Sequence, residues 1–420
     1  MNKYLVLGKY SFGMGDRFGL QGKAQLQACR LATGLGAHFV PVWNKSNREH
    51  TLIGTDPAST RAAADAAVQA LGWNQPYHVD ADHIRRETVD RFIPHSDFFT
   101  IDVADSLGKP AAPASLEAFV DRHPELTGTL TIPRLEQPFP GTREQVGRIA
   151  GKFLVAVQEA GAIYRHIAQA KGAETFITEI SMDETDQPQT PPELMVILAA
   201  MADEQIPLQT IAPKFTGRFN KGVDYVGNVR QFEQEFREDL AVIDFAIERY
   251  NLPPSLKLSI HSGSDKFSLY RPMQLALKQF NAGIHLKTAG TTWLEELIGL
   301  AEAGGDGLKI VQDIYAIALE EIDELTLPYA TVIDIDRTRL PSAAAVRGWD
   351  AGRTVAALRH VPANPGFNPS FRQLMHVSFK VPLRLGGRYF QALKKYELLI
   401  ARNVTENLFL RHLRPLLLEK

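Results

Sequence analysis

The chain of 420 residues contains a single cysteine, Cys29. No intrachain disulfide can form, and a zinc site built on four thiolates is excluded. Any metal must be held by His, Asp and Glu. Long apolar runs are missing too: nothing approaches the ~18 residues of a spanning helix, and the N-terminal stretch has no secretory apolar core. The expectation is a cytoplasmic protein with no membrane partner. A charge excess of either sign is also lacking, because 46 basic residues face 48 acidic ones. Nucleic-acid binders carry a clear basic surplus, so no nucleic-acid partner is expected. Walker loop, dinucleotide fingerprint, GxSxG elbow and HExxH helix are all absent. No fixed-period repeat suggests a solenoid.

What is present is an ordinary globular balance, 45% hydrophobic and 22% charged, sufficient for a large core. Short β-rich runs alternate with longer helical ones. The β-rich runs are Tyr4–Gly8, Ala37–Trp43, Tyr77–Asp82, Phe98–Val103, Thr175–Asp183, Leu208–Lys214, Leu256–His261 and Ile284–Thr288. Helical segments between them include Lys23–Thr33, Arg61–Leu71, Thr142–Lys171, Pro192–Asp203, Val229–Tyr250 and Leu269–Phe280. Such alternation predicts βαβ units, and about eight of them predict an α/β fold, a closed (β/α)8 TIM-type barrel. The barrel is expected over residues 1–322 and a C-terminal extension packed on it over 323–420. A proline-rich insertion, Ser106–Gly141, follows strand four, with a short strand at Gly128–Ile132; it either covers the mouth or is irregular. The extension is read with a β-like run, Ala330–Ile335, and a final helix, Arg388–Leu410.

Strand side chains point to opposite faces with period two. Leu256, Leu258 and Ile260 oppose Lys257, Ser259 and His261; Ile284 and Leu286 oppose His285 and Lys287. Phe99, Ile101 and Val103 oppose Thr100 and Asp102, and Thr178, Ile180 and Met182 oppose Glu179, Ser181 and Asp183. The apolar faces suit a cover of helices. Polar groups converging at strand C-termini mark the catalytic face of a barrel.

Candidate groups follow from those strand ends. Gly13–Gly19 reads as a glycine-rich turn in which Arg17 either holds a substrate carboxylate or pairs structurally with Asp16. Asn44 and Lys45 open a polar run to His50 that suits hydroxyls and carboxylates, or is simply a solvated loop. Asp80, Asp82 and His83 crowd one strand end, which is costly unless they are paired or bound to a metal. Glu179, Asp183 and Glu184 crowd another, where inward carboxylates need a metal, a proton or a lysine. Lys214, Lys257 and Lys287 are the available lysines, and a plain ion-pair network is a fair alternative reading of Glu179. His261 and His285 complete a set of scattered His and carboxylate groups of the kind that binds a divalent cation such as Zn, Mn, Ni or Co.

The stretches WNKSNREH (43–50), YHVDADHI (77–84), DFFTIDVAD (97–105), SMDETDQPQTPPE (181–193), APKFTGRFNKGVDY (212–225), HSGSDKFS (261–268) and KTAGTTWLE (287–295) resemble the tagaturonate epimerase family, also called tagaturonate/fructuronate epimerases. The resemblance implies a divalent-metal-dependent epimerase of hexuronate catabolism whose partner is a small keto-sugar acid. It would interconvert D-tagaturonate and D-fructuronate by inverting one carbinol centre. That carbon lies one position beyond the carbon adjacent to the ketone, so enolisation alone cannot invert it. Retro-aldol cleavage and re-addition, or direct proton transfer on opposite faces, would. Asp82 is the expected base and Glu184 the expected acid. His83 and His261 are the expected metal ligands; Asp224, Asp183 and His285 are candidates for the third, with Asp224 favoured by the family pattern. Arg17, Asn44, Lys45, Asp183, Lys214, His285 and Lys287 are the expected substrate contacts. Alternatives are a metal-dependent sugar or sugar-acid isomerase or aldolase, and a non-catalytic sugar-acid binding protein. The sequence leaves a homo-oligomer open.

Overall fold

The computed structural model describes residues 5–418. Its strands are β1 (Tyr10–Gly15), β2 (Val40–Ser46), β3 (His78–Ile84), β4 (Phe98–Asp102), β5 (Gly128–Leu130), β6 (Phe139–Gly141), β7 (Ile177–Ser181), β8 (Leu208–Ala212), β9 (Lys257–Ile260) and β10 (Ile284–Thr288). Eight of them close a parallel barrel in the order β1-β10-β9-β8-β7-β4-β3-β2, and β5 pairs with β6 as an antiparallel hairpin. Helices Gly22–Gly34, Pro57–Leu71, Arg143–Lys171, Pro191–Asp203, Val229–Tyr250, Phe267–Phe280 and Thr291–Ala303 surround it. This is a (β/α)8 TIM-type fold. Between β3 and β4 a single helical turn, Val89–Arg91, replaces a full helix.

The first strand differs from expectation. Tyr4 lies outside the described residues, and Leu5–Gly8 form no strand. The barrel strand is Tyr10–Gly15, part of what reads in sequence as a glycine-rich turn. Its inner positions are Ser11, Gly13 and Gly15, in register with His285, Lys287 and Asn44 of the neighbouring strands. A Cβ on Gly13 would lie 3.1 Å from both Asn44 Oδ1 and Lys287 Cγ. Small residues are therefore required there by close packing inside the barrel, not by a turn.

The barrel interior is layered. At its base Leu7, Val40, Val42, Phe98 and Ile177 form an apolar plug separate from the main core. Burying a side chain such as Phe98 contributes about 1.5–3 kcal/mol. Gln209 ties the incoming chain to the plug, accepting from Leu7 N at 2.8 Å and donating to Leu5 O at 2.7 Å. The main core lies between the outward strand residues and the helices, as the alternation requires. The polar inner residues thus concentrate toward the strand C-termini.

The insertion holds a helix, Pro113–Arg122, and the β5–β6 hairpin. It does not cover the mouth. His123 meets Asp203 at 3.3 Å, and Glu125 accepts from Tyr250 at 3.0 Å. Asp203 and Tyr250 end their helices, which places these contacts at the barrel end remote from the strand C-termini.

The C-terminal residues pack over the opposite end. Ala330–Ile335 is not a strand: Val332 O accepts from Lys221 N at 2.8 Å and Ile333 O from the Arg218 side chain at 3.1 Å. Loop groups therefore use its backbone. Buried Arg372 donates to Asp265 at 2.9 Å and to the Gly222 carbonyl, binding the extension to loops after β8 and β9. The final helix is divided into Gly387–Lys395, Glu397–Glu406 and Asn407–Leu418. Among the described residues no helix is long and apolar enough to cross a membrane.

Candidate active site

Lys287, inward on β10, is the centre of the mouth. Its Nζ lies 2.7 Å from Asp80, 2.8 Å from Asp82, 2.9 Å from Glu179 and 2.5 Å from Thr100 Oγ1. Asp80 and Glu179 side chains have no exposed surface. Three carboxylates around one ammonium are tolerable in a buried site only when charge and hydrogen bonds nearly balance. Burial alone would depress Lys287, but the carboxylates hold its ammonium well above the usual lysine range. Burial raises all three carboxyls. Lys287 and the nearby His261 overcome this for Glu179 and Asp82, which are lowered. Asp80, facing both other carboxylates, stays raised.

His83 reaches the mouth through a local irregularity. The β3–β4 register slips between Ala81 and Ile84, and His83 adopts φ 49°. A left-handed residue at a bulge re-aims a side chain at a cost in strain, a combination found at functional sites. The His83 ring lies 4.9 Å from the His261 ring, its Nε2 3.9 Å from Asp82 and its Nδ1 3.9 Å from Asp102. Its Nδ1 is buried without a hydrogen-bond partner.

His261 follows β9 and is held on both edges: Nε2 lies 2.7 Å from Glu179 Oε1 and Nδ1 3.1 Å from Asp183 Oδ1. Burial would lower this imidazole, but Asp183 and Glu179 push it up to about 10. Asp183, which burial would raise, is held well below the carboxylate range by His261 and a Ser181 hydrogen bond. His83, Asp183 and His261 each place a donor atom within 4.8 Å of the others, as do His83, Asp102 and Glu184. Two imidazoles and a carboxylate, one nitrogen orphaned and one histidine backed by a buried carboxylate, form a donor set that fits a divalent cation.

The structure separates the remaining expected residues. Glu184 is partly exposed at the rim, 3.4 Å from Arg48; burial raises its carboxyl, but His83 and Arg48 lower it overall. Asn44 is buried on the inner face, with Oδ1 unpaired. Arg17 is buried, pairs with Glu49 and stacks 4.3 Å from the Phe379 ring centre. Lys45 is on the outer side of β2, in register with Ala81, and its Nζ donates to the Arg17 carbonyl at 2.8 Å. Ser46 and Glu49 form the capping box of helix Asn47–Ile53, so the polar run after β2 is a helix start. Lys214 donates to the Thr185 carbonyl, bracing the loop after β7. His285 sits one layer below Lys287, its Nδ1 2.8 Å from Ser11 Oγ and its ring 5.2 Å from Phe98. Burial chiefly pushes that imidazole down to about 3. Asp224 is not brought to His83 and His261: it accepts from Ser268 Oγ at 2.9 Å and Ser268 N at 3.2 Å, in the first turn of helix Phe267–Phe280.

Two cations at the mouth carry no role in the sequence reading. Lys221 donates to Ser262 Oγ at 2.6 Å, and Arg48 lies 5.6 Å over the Tyr329 ring. Both fall inside stretches that carry the family resemblance, so position in the motif is the signal that could have found them.

The chain is similar along nearly its whole length to known proteins. The model of the tagaturonate epimerase family matches residues 3–416. A curated tagaturonate/fructuronate epimerase from Thermotoga maritima is 27% identical over 416 residues, 95% of this chain and 79% of that one. Crystal structures of fructuronate-tagaturonate epimerase from Cohnella laeviribosi share the fold. The native one has a TM-score of 0.79 at 23% identity, covering 99% of this chain and 83% of that one. A complex of the same enzyme with two glycerols has a TM-score of 0.81 at 24% identity, covering 98% and 83%. With a family match from one end of the barrel through the C-terminal extension, this chain belongs to the tagaturonate epimerase family.

Proposed function

We propose that this protein interconverts D-tagaturonate and D-fructuronate at the barrel mouth, using a divalent cation held by His83, Asp183 and His261. The observation that carries the reading is the convergence of those three side chains within 4.8 Å beside Asp82 and Glu184. Family membership supplies the substrate class. When bound, the cation supplies Lewis-acid polarisation of the substrate's oxygens.

The residues divide the remaining work. Glu179 fixes the His261 ring, and Ser181 fixes Asp183. Lys287 and His83 keep Asp82 ionised, although burial opposes it. An ionised Asp82 suits removal of the hydroxyl proton from the carbinol centre. The bond to the neighbouring carbon then breaks, its electron pair passing into the ketone as an enediolate and leaving an aldehyde. Rotation of the aldehyde and re-formation of the bond invert the centre. Glu184, on the solvent side, relays a proton from water to the new alkoxide, and Asp82 gives its proton to the hydroxide left behind, so both carboxylates end ionised as they began. The C–H bond is untouched throughout.

Turnover in deuterated water tests this route. Product without deuterium at the inverted carbon is expected. Stoichiometric deuterium there would replace the retro-aldol step by proton transfer at carbon.

A further inference from the structure

A substrate acid must have a cation for its carboxylate. The four cations expected from sequence are all committed: Arg17 to Glu49, Lys45 to the Arg17 carbonyl, Lys214 to the Thr185 carbonyl and Lys287 to three carboxylates. Lys221 differs. Its Nζ donates to a neutral hydroxyl, Ser262 Oγ, at 2.6 Å, and among the described residues no carboxylate lies within ion-pair distance of it. A half-buried ammonium without an anionic partner carries a desolvation cost.

Its position also fits. Ser262 directly follows His261, and adopts φ 52°, so the hydroxyl that holds Lys221 adjoins the His261–Asp183 pair. The loop carrying Lys221 is braced by backbone contacts. The bridge between Arg218 and Val226 closes it, Lys221 N donates to Val332 O, and Arg372 holds the Gly222 carbonyl. Burial lowers the Lys221 ammonium, partly offset by Glu184 and Asp183, so an arriving anion restores its charge balance.

We propose that Lys221 is the group that binds the carboxylate of the substrate and thereby selects keto-sugar acids over neutral sugars. The inference rests on the proposed epimerase reading and assigns the C-terminal extension a purpose, since Val332 and Arg372 hold the loop in place. A charged partner of this kind discriminates, because a neutral sugar leaves the half-buried ammonium without an anion.

The test compares the full-length wild-type, K221M and K221R proteins with D-tagaturonate, and with D-galactonate and galactitol as an acid–neutral inhibitor pair. For K221M, KM for D-tagaturonate should rise by about tenfold or more, with kcat changed far less, the pattern of lost uniform binding. Inhibition by galactonate should weaken similarly, inhibition by galactitol should not, and K221R should recover part of both losses. A K221M KM within twofold of wild type, or equal weakening of both inhibitors, overturns the assignment. If the wild type itself fails to turn over D-tagaturonate, the epimerase reading falls instead, and calorimetric binding of galactonate and galactitol to wild type and K221M still reports on Lys221: loss of galactonate binding alone supports the assignment, equal binding by both proteins overturns it.

Discussion

Glu179 Oε1 lies 2.7 Å from His261 Nε2, and the Glu179 side chain has no exposed surface. With Nε2 held there, His261 Nδ1, 3.1 Å from Asp183, is the nitrogen that would turn to a cation in the proposed site. Carboxylates behind ligating histidines fix ring orientation, and losing them typically weakens metal binding about 10–100-fold. E179Q should therefore bind Mn or Zn about 10–100-fold more weakly in calorimetric titration while staying folded by circular dichroism. Unchanged affinity would remove Glu179 from this role.

The ligand set is open to a direct comparison. H83A, H261A and D183N should each lower bound metal in elemental analysis after dialysis. D224N should leave it unchanged, because Asp224 serves Ser268 and the first turn of helix Phe267–Phe280. Its cost should be a stability loss of about 0.5–2 kcal/mol, typical of a helix-terminal bond. Metal loss in D224N would restore Asp224 as the third ligand.

Asp183 and Asp224 show how much of the site was legible in sequence. Inner and outer faces of β4, β7, β9 and β10 followed from period-two alternation, and with them Glu179, His261 and Lys287. Which candidate joins His83 and His261 was not legible, because His83, Asp183 and His261 come from three strand ends and spacing carries no distance between strands. Lys45 was misplaced for a simpler reason. The strand continues to Ser46, so alternation turns Lys45 outward, whereas a polar run after Trp43 reads as a loop. β1 was hidden because its inner positions are small, so no polar–apolar alternation marks it. The Ala330–Ile335 run has strand-like residues, but its carbonyls serve Lys221 and Arg218.

Removing the central ammonium should be severe. K287M leaves Asp80, Asp82 and Glu179 buried without their shared cation, at a cost of about 3–5 kcal/mol. In the wild type Asp82 and Glu179 are lowered, so their contribution is present above the unfolded carboxyl range and is lost as pH falls. In K287M only the histidines still oppose burial, so the lowering weakens and protonation relieves part of the variant's cost. Urea unfolding at pH 8 and pH 5 should show the gap to wild type narrowing at the lower pH. A constant gap would mean that Lys287 contributes by packing rather than charge.

Metal binding should depend on pH in one direction. His261, pushed up to about 10 in the metal-free protein by Asp183 and Glu179 against the effect of burial, must give up a proton to become a ligand. Affinity should rise from pH 6 to pH 9, with proton release visible as a buffer-dependent enthalpy in calorimetry. Affinity independent of pH would show that His261 is not a ligand.

The most direct measurement is a carbon NMR time course of the purified protein with D-tagaturonate, first with EDTA and then with excess Mn, Co, Ni or Zn. D-fructuronate should be absent under EDTA, appear on metal addition and approach the same final ratio from either keto acid. Undiminished epimerisation in metal-stripped protein would contradict the metal centre at His83, Asp183 and His261. Metal-dependent formation of an aldose acid or of smaller fragments would contradict epimerisation itself.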